Sequence, residues 1–202
     1  MRTIGIYGGT FSPPHLGHRR VVEAFIRQEN PDEMQVIPTL IPPHKLLHGD
    51  ATPAQRMEMC RLCFAGLPVA VSDREIRRGG KSYTVLTLEE LTAQDTRLVF
   101  LCGTDMFMTL DTWREPERIF ALSEIVYACR ESGAAAVSVR QALAERAELY
   151  RTRYGARTRP LCFDALEISS ERLRQMLARG EDTTAWLHPD VRRYIDKWQL
   201  YR

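Results

Sequence analysis

The strongest fold signal in this chain is an apolar run near its amino-terminal end that leads directly into a stretch rich in glycine, proline and histidine. Residues 4–7 read IGIY, and residues 8–18 read GGTFSPPHLGH. An apolar run that ends in paired glycines, followed by prolines and a helix start, is typical of a strand, a tight loop and the first turn of a helix. We therefore expect a strand–loop–helix unit here.

This unit has the composition of a phosphate site. Gly8 and Gly9 allow backbone N–H groups to approach an anion, and a helix that opens near His15 adds unpaired N–H donors and a positive dipole end. His15 and His18 are spaced to share one helical face. Neither G-x-G-x-x-G nor G-x-x-x-x-G-K-[ST] is present, so a triphosphate attacked at its α-phosphorus is favoured over dinucleotide docking or a Walker-type site. Taken singly, either histidine could be a helix cap or a surface residue.

Short β-rich runs alternate with helical periodicity along the rest of the chain. The predicted strands cover 3–7, 34–38, 68–72, 97–103, 124–129 and 161–163. The predicted helices cover 15–28, 53–65, 84–94, 105–121, 137–152, 169–179 and 189–198. This alternation predicts an α/β fold, a Rossmann-like doubly wound parallel sheet with flanking helices. In such sheets ligands bind beyond the carboxyl ends of the strands, which is where the loop after the first strand would lie.

Length and charge narrow the function classes. The 202 residues, 44% of them hydrophobic, suit a single domain over residues 1–202. A net charge of +2 gives no support for a nucleic-acid partner, so an anion site must be local. No apolar run approaches the ~20 residues that span a bilayer, and the first strand leaves no room for a signal peptide. We expect a cytoplasmic protein without a membrane partner; whether it forms a homo-oligomer stays open.

The cysteines are odd in number and scattered, as reduced core residues are. They are Cys60, Cys63, Cys102, Cys129 and Cys162. Cys60 and Cys63 have zinc-like spacing, but no second pair nearby completes four ligands, and His44 and His48 lie in a proline-rich loop. We therefore expect no metal site built by the protein.

Residues 9–18 resemble the G-x-F-x-P-x-H-x-G-H signature of the nucleotidyltransferase superfamily, and Gly-Gly-Thr-Phe-Ser-Pro-Pro-His is similar to the nicotinate-nucleotide adenylyltransferase family in particular. The resemblance implies the nucleotidyltransferase fold and an enzyme of NAD biosynthesis that condenses ATP with nicotinate mononucleotide to nicotinate adenine dinucleotide and pyrophosphate. It implies Mg²⁺ carried with ATP. Nicotinamide mononucleotide or another phosphate acceptor, or a non-catalytic dinucleotide sensor, are the alternatives. The ATP contacts it implies in this stretch are Gly8, Gly9, Thr10, Phe11, His15 and His18.

Further segments of the chain resemble the same family. Residues 37–45 read IPTLIPPHK, where the resemblance implies that Lys45, with Thr10, lies near the phosphate of the acceptor. In residues 79–84, GGKSYT, it implies acceptor-ring contacts from Ser82, Tyr83 and Thr84. From the residues alone, Lys45 could be a solvated lysine and the GGKSYT segment ordinary turn and capping chemistry.

Two later segments complete the resemblance. Gly103 and Asp105 match a Gly-x-Asp motif that implies a contact with a ribose of ATP, and Trp113 is implied to stack on the pyridine ring; a cap and a core residue are the alternatives. Residues 168–174, ISSERLR, resemble an Ile-Ser-Ser-Thr-x-Ile-Arg motif that grips the β and γ phosphates. The residues implied there are Ser169, Ser170 and Arg174, with Arg174 catalytic beside His15 and His18. Glu171 stands where the motif has Thr, and Leu173 where it has Ile.

Overall fold

The computed structural model describes residues 1–43, 51–130 and 136–202, apart from the side chains of Arg130, Ala136 and Cys162. Within these ranges the strands are β1 (Arg2–Gly9), β2 (Glu33–Pro38), β3 (Ala70–Val71), β4 (Thr96–Cys102), β5 (Ser123–Arg130) and β6 (Thr158–Phe163). The helices are α1 (Leu16–Glu29), α2 (Pro53–Cys63), α3 (Arg74–Arg78), α4 (Thr84–Leu91), α5 (Thr104–Met108), α6 (Pro116–Leu122), α7 (Ala136–Tyr154), α8 (Ser170–Ala178) and α9 (Pro189–Trp198). A 3-10 turn covers Leu110–Thr112.

The strands form one parallel sheet in the order β3-β2-β1-β4-β5-β6. This order confirms the predicted Rossmann-like, doubly wound architecture. The chain winds outward from β1 in one direction and from β4 in the other, so the strand order reverses between these two strands. Loops that leave the carboxyl ends of β1 and β4 flank the crevice at this switch point, where open α/β sheets bind their ligands.

The core lies on both faces of the sheet. Residues of α1, α2, α8 and α9 cover one face together with side chains of β1 and β2. Residues of α4, α5, α6 and α7 cover the other face. Because both faces are buried, the central strands consist of nearly continuous apolar residues, as expected for a parallel sheet.

A glycine in β1 brings α1 close to the sheet. A Cβ added at Gly5 would lie 2.5 Å from Cε1 of Phe25 and 2.7 Å from Sδ of Met34. Phe25 is fully buried in the core between α1 and the sheet. The absence of a side chain at Gly5 therefore permits α1 to pack closely against the sheet at Phe25.

The single helix predicted over 105–121 was wrong. That region forms α5, the 3-10 turn and α6, with Glu115 at φ 54° immediately before Pro116. Proline lacks an N–H donor and disfavours helical backbone in the residue before it, so the periodic pattern could not continue through this point. The short helix α3 was not predicted, and the strand expected over 68–72 contains only Ala70–Val71. In the described ranges, none of the helices has both the length and the apolar character to cross a membrane.

Candidate active site

Two histidines at the start of α1 accept hydrogen bonds from each other's backbone N–H groups. His15 is the N-cap residue, and its Nδ1 accepts a hydrogen bond from the backbone N–H of His18 at 3.3 Å. Nδ1 of His18 accepts one from the backbone N–H of His15 at 3.1 Å. The rings stack with their centroids 3.6 Å apart. This is a capping box built from imidazoles, and it fixes the orientation of both rings.

The capping bonds determine the tautomer of each imidazole. Because both Nδ1 atoms accept a hydrogen bond, the proton of each neutral ring is on Nε2. Burial lowers the pKa of His15 to about 4. Burial, and next the neighbouring charge of His15, lower the pKa of His18 well below its ordinary value. Both rings are therefore neutral at pH 7, and each can offer an Nε2–H donor.

An aromatic residue supports this histidine pair. Phe11 is 2% exposed at φ 49°, and its ring contacts those of His18 and Tyr7 edge-on, with centroids 5.1 and 5.4 Å apart. The side chain of Phe11 is thus a packing element, which leaves its backbone as the part that can face a ligand. A Cβ at Gly9 would lie 2.9 Å from the Phe11 ring, so glycine there makes room for this ring.

Helix α8 is attached to the β1–α1 loop (residues 10–15). The hydroxyl of Ser170 donates to the carbonyl of Pro13 at 2.8 Å, and Nη1 of Arg174 donates to the carbonyl of Ser12 at 2.8 Å. Ser169 is exposed and caps α8 by accepting from the N–H of Arg172 at 3.1 Å. The predicted Ser169, Ser170 and Arg174 therefore do lie beside the predicted loop, although they follow it by more than 150 residues.

The loop after β2 is joined to the same region. Gly9 pairs with Pro38 in the sheet, and the N–H of Thr39 donates to the carbonyl of Gly9 at 2.9 Å. Ser82 holds this loop from the other side, because its hydroxyl accepts from the N–H of Leu40 at 2.9 Å and its own N–H donates to the carbonyl of Ile41. Lys45 lies outside the described residues.

The other residues predicted to contact the acceptor cluster at α4. Ser82 is 5% exposed, and its hydroxyl oxygen is used to hold the loop after β2 through the N–H of Leu40. Tyr83 and Thr84 are half-buried at the start of α4, whose first turn has no side-chain cap. The guanidinium of Arg114 lies 4.8 Å from the centre of the Tyr83 ring, and the preceding residue, Trp113, is half-buried with its ring edge-on to Phe100.

The loop after β4 contributes the remaining predicted pair. Gly103 is the N-cap residue of α5, and Asp105 is exposed in its first turn. The hydroxyl of Thr104 between them donates to the carbonyl of Ala128 at 2.8 Å and attaches α5 to β5. Asp105 thus lies at the carboxyl edge of the sheet, on the opposite side of the switch point from the loop after β2.

Sequence reasoning missed two buried residues that contact the β1–α1 loop. Nη1 of Arg56 in α2 donates to the carbonyl of Thr10 at 2.8 Å. The hydroxyl of Tyr201 lies 3.0 Å from that of Ser12. An arginine inside a helical pattern and a tyrosine near the end of the chain carry no local signal of burial, so only the tertiary structure identifies them.

Comparisons with known proteins identify the family of the chain. Residues 6–176 match the cytidylyltransferase-like family model. The chain is 35% identical to a "probable nicotinate-nucleotide adenylyltransferase" of Chromobacterium violaceum, with 98% of both chains covered. It is 36% identical to one of Marinobacter nauticus, with 97% of this chain and 95% of that one covered.

Solved structures show the same fold. Nicotinic acid mononucleotide adenylyltransferase of Plasmodium falciparum, complexed with NaAD, superposes with a TM-score of 0.74 at 19% identity and covers 100% of this chain and 98% of that one. This likeness confirms the predicted nucleotidyltransferase fold. The full-length sequence identities and the match to the family model show that the chain belongs to the nicotinate-nucleotide adenylyltransferase family.

Proposed function

We propose that this protein transfers the adenylyl group of ATP to nicotinate mononucleotide, with formation of nicotinate adenine dinucleotide and pyrophosphate. As a member of its family, the protein is a nucleotidyltransferase of NAD biosynthesis. The observation that carries the assignment to this site is the pair of mutually capped, neutral histidines at the sheet's switch point. Such a pair supplies oriented donors to a triphosphate.

The reaction needs positioning more than acid–base chemistry. The phosphate of the acceptor is already an anion at neutral pH, and it attacks the α-phosphorus of ATP in line while pyrophosphate leaves. The Nε2–H groups of His15 and His18 would donate to the phosphate oxygens where negative charge develops. Since neither imidazole is protonated at pH 7, they act as preorganised donors and transfer no proton.

Ser170 and Arg174 would complete the grip on the triphosphate. The single hydroxyl proton of Ser170 is donated to the carbonyl of Pro13, so Ser170 would act by fixing the β1–α1 loop and through its backbone N–H at the start of α8. Arg174 donates one N–H to the carbonyl of Ser12, which leaves the other N–H groups of its guanidinium for the β and γ phosphates. The polar groups assembled here are mostly donors and cations, so Mg²⁺ would enter with ATP and be held mainly by phosphate oxygens. Its chemistry would be neutralisation of charge on the leaving pyrophosphate.

The acceptor would bind between α4 and Trp113. The uncapped first turn of α4 offers backbone N–H groups to a carboxylate on the pyridine ring, and the half-buried indole of Trp113 offers a stacking surface. Ser82 would act indirectly by holding the loop after β2. Lys45 and Thr10 are proposed to contact the acceptor phosphate.

The first experiment measures pyrophosphate release from Mg-ATP with nicotinate mononucleotide and, separately, with nicotinamide mononucleotide. We expect kcat/KM to be at least about tenfold higher with nicotinate, because the carboxylate adds a charged contact that the amide lacks. Equal rates would contradict the preference for nicotinate mononucleotide but would still support adenylyl transfer from ATP. Release with neither acceptor would favour a dinucleotide sensor, which a titration with nicotinate adenine dinucleotide would then test.

A matched pair of variants on α8 tests whether the site has been located correctly. Arg174→Gln removes a guanidinium that contacts the β1–α1 loop, whereas Arg172→Gln changes an exposed arginine on the same helix. We expect Arg174→Gln to lower kcat/KM for ATP at least about tenfold and Arg172→Gln to leave it unchanged. Equal effects would contradict the assignment.

A further inference from the structure

A buried arginine joins the two loops of the proposed site. Arg56 is 1% exposed and is the largest by residue volume of the fully buried side chains in the described ranges. Nη1 donates to the carbonyl of Thr10 in the β1–α1 loop at 2.8 Å, and Nη2 donates to the carbonyl of Leu40 in the loop after β2 at 3.4 Å. One planar guanidinium therefore spans the loop proposed for ATP and the loop proposed for the acceptor.

The charge of Arg56 has no acidic partner in the described part of the chain. Its Nε is buried without a hydrogen-bond partner there, and its ionisable neighbours are Cys60 and Tyr201, whose own pKa values are raised by burial. The hydroxyl of Thr39, the residue before Leu40, is likewise buried and unpartnered within the described ranges. Two unsatisfied polar atoms thus lie at the junction of the two loops.

An unpaired buried guanidinium is costly to the fold. Arginine is almost never fully buried without a carboxylate, because removing its charge from water is compensated only by an opposite charge and by hydrogen bonds. Carbonyl oxygens supply part of this compensation at Arg56. Arg78, whose side chain is 18% exposed, is instead paired with Glu90 at 3.0 Å.

We propose that Arg56 is a positioning residue of the active site: it holds Thr10 and Leu40 at a fixed separation and supplies a buried positive charge to the phosphates bound between their loops. This inference rests on the proposed function for the nature of the bound anion. The phosphates would provide the negative charge that the described protein residues do not, and the fork of the guanidinium would set the distance between the two substrates.

Two substitutions separate the charge of Arg56 from its geometry. Arg56→Gln keeps a donor and removes the charge, whereas Arg56→Lys keeps the charge but loses the planar fork that reaches both carbonyls. We expect Arg56→Gln to weaken the binding of Mg-pyrophosphate, measured by calorimetric titration, about tenfold, as for the loss of one charged contact. We expect Arg56→Lys to bind within about threefold of the wild type yet to lose at least about fivefold in kcat.

Arg19 supplies the matched control. Arg19 is a residue of α1, and its Nη1 also donates to two carbonyls, those of Cys63 and Ala65, at 2.8 and 2.9 Å. These carbonyls are at the carboxyl end of α2, whereas Arg56 is near its amino end, and Arg19 is paired with Glu23. Arg19→Gln should lower the melting temperature and leave pyrophosphate affinity unchanged. If Arg56→Gln does not fold, Arg56→Lys carries the test, since a wild-type kcat in that variant would overturn the positioning role.

The outcomes distinguish this inference from the proposed function. An active wild type whose affinity for pyrophosphate is the same in Arg56→Gln would overturn the inference and leave the function intact. Pyrophosphate binding as weak in Arg56→Lys as in Arg56→Gln would overturn the role of the charge. A wild type that is inactive with every acceptor, but whose pyrophosphate binding depends on Arg56, would overturn the function and support the role of the buried charge in anion binding.

Discussion

His15 and His18 cap each other: Nδ1 of each accepts a hydrogen bond from the backbone N–H of the other, at 3.3 and 3.1 Å. Neither ring can rotate without leaving a helix-terminal N–H unpaired. The capping bonds also place the remaining proton of each ring on Nε2. The capping hydrogen bonds thus provide the preorganisation that the proposed reaction requires. A suitable amino-acid substitution at His18 can remove the catalytic donor and keep the cap.

Replacement of His18 should separate these two roles. We expect His18→Ala to lower kcat about 10²- to 10³-fold, the cost of removing one preorganised electrostatic contact. His18→Gln should be equally slow but close to the wild type in its free energy of unfolding, since glutamine at this position of a capping box can still accept from the N–H of His15. Turnover of either variant within about threefold of wild type would contradict the role given to the helix start.

Gly17 gives an independent test of the position of the imidazoles. A Cβ at this residue would lie 2.9 Å from Nδ1 of His15, closer than ordinary contact. Alanine is favoured over glycine in a helix by about 1 kcal/mol, so Gly17→Ala should cost little or no stability while it displaces the ring of His15. We expect kcat to fall about tenfold or more, measured beside the melting temperature. A variant with normal kcat would show that the orientation of His15 is not critical.

The strand pattern and the motif at residues 8–18 were sufficient to predict the sheet, because alternating periodicities require crossover helices whatever the detailed packing. The prediction failed over 105–121, where the apolar periodicity continues but α5 ends at Met108 and Pro116 begins a new helix, α6. The short α3 has too few residues for periodicity to be visible.

Prediction of the site had a similar limit. Motif residues such as His15 and Arg174 were found because each lies in a recognisable segment, and the fold brings their segments together. Arg56 was not found, since nothing in a helix sequence distinguishes an arginine that faces solvent from one directed under a loop. The commitment of the Ser82 hydroxyl to Leu40 also depends on tertiary contacts.

The histidine pair of α1 makes stability depend on pH. The pKa of His15 in the folded chain is about 4, below the ordinary value of 6.5, so the unfolded chain binds a proton more readily. The free energy of unfolding should therefore be constant above pH 6.5 and fall as the pH decreases toward 4, with His15 alone costing about 2 kcal/mol at pH 5. The shift of His18 acts in the same direction.

Urea unfolding between pH 7.5 and pH 5 measures this dependence. His15→Asn should flatten the curve, because asparagine caps the helix without titrating. Over the upper part of that range kcat should not follow a histidine titration, since neither imidazole becomes charged in the folded protein. Equal free energies of unfolding for the wild type at the two pH values would contradict the burial of neutral histidines.

A network of ion pairs at the opposite edge of the sheet concerns stability alone. Glu124 at the start of β5 accepts from Nη2 of Arg97 at 2.6 Å and from Nη1 of Arg159 at 2.7 Å, and Arg159 also pairs with the half-buried Glu29. Hydrogen bonding from Arg97 is the largest cause that lowers the pKa of Glu124 to about 2. These residues lie at the amino ends of the strands, away from the proposed site.

Substitution of Glu124 should therefore change folding and not turnover. We expect Glu124→Gln to lower the free energy of unfolding at pH 7 by about 1–3 kcal/mol, because two partly buried guanidinium groups lose one of the two carboxylates that they share and keep only Glu29. The difference from wild type should narrow as the pH falls from 4.5 toward 2, since over this range the unfolded chain protonates Glu124 while the folded chain keeps it ionised. Glu148→Gln, which breaks an exposed pair with Arg151, should cost much less, because solvent screens that pair. The free energy of unfolding, from chemical denaturation, and kcat are measured on both variants. Equal losses of unfolding free energy, or a loss of kcat in Glu124→Gln alone, would contradict a purely structural role for the network.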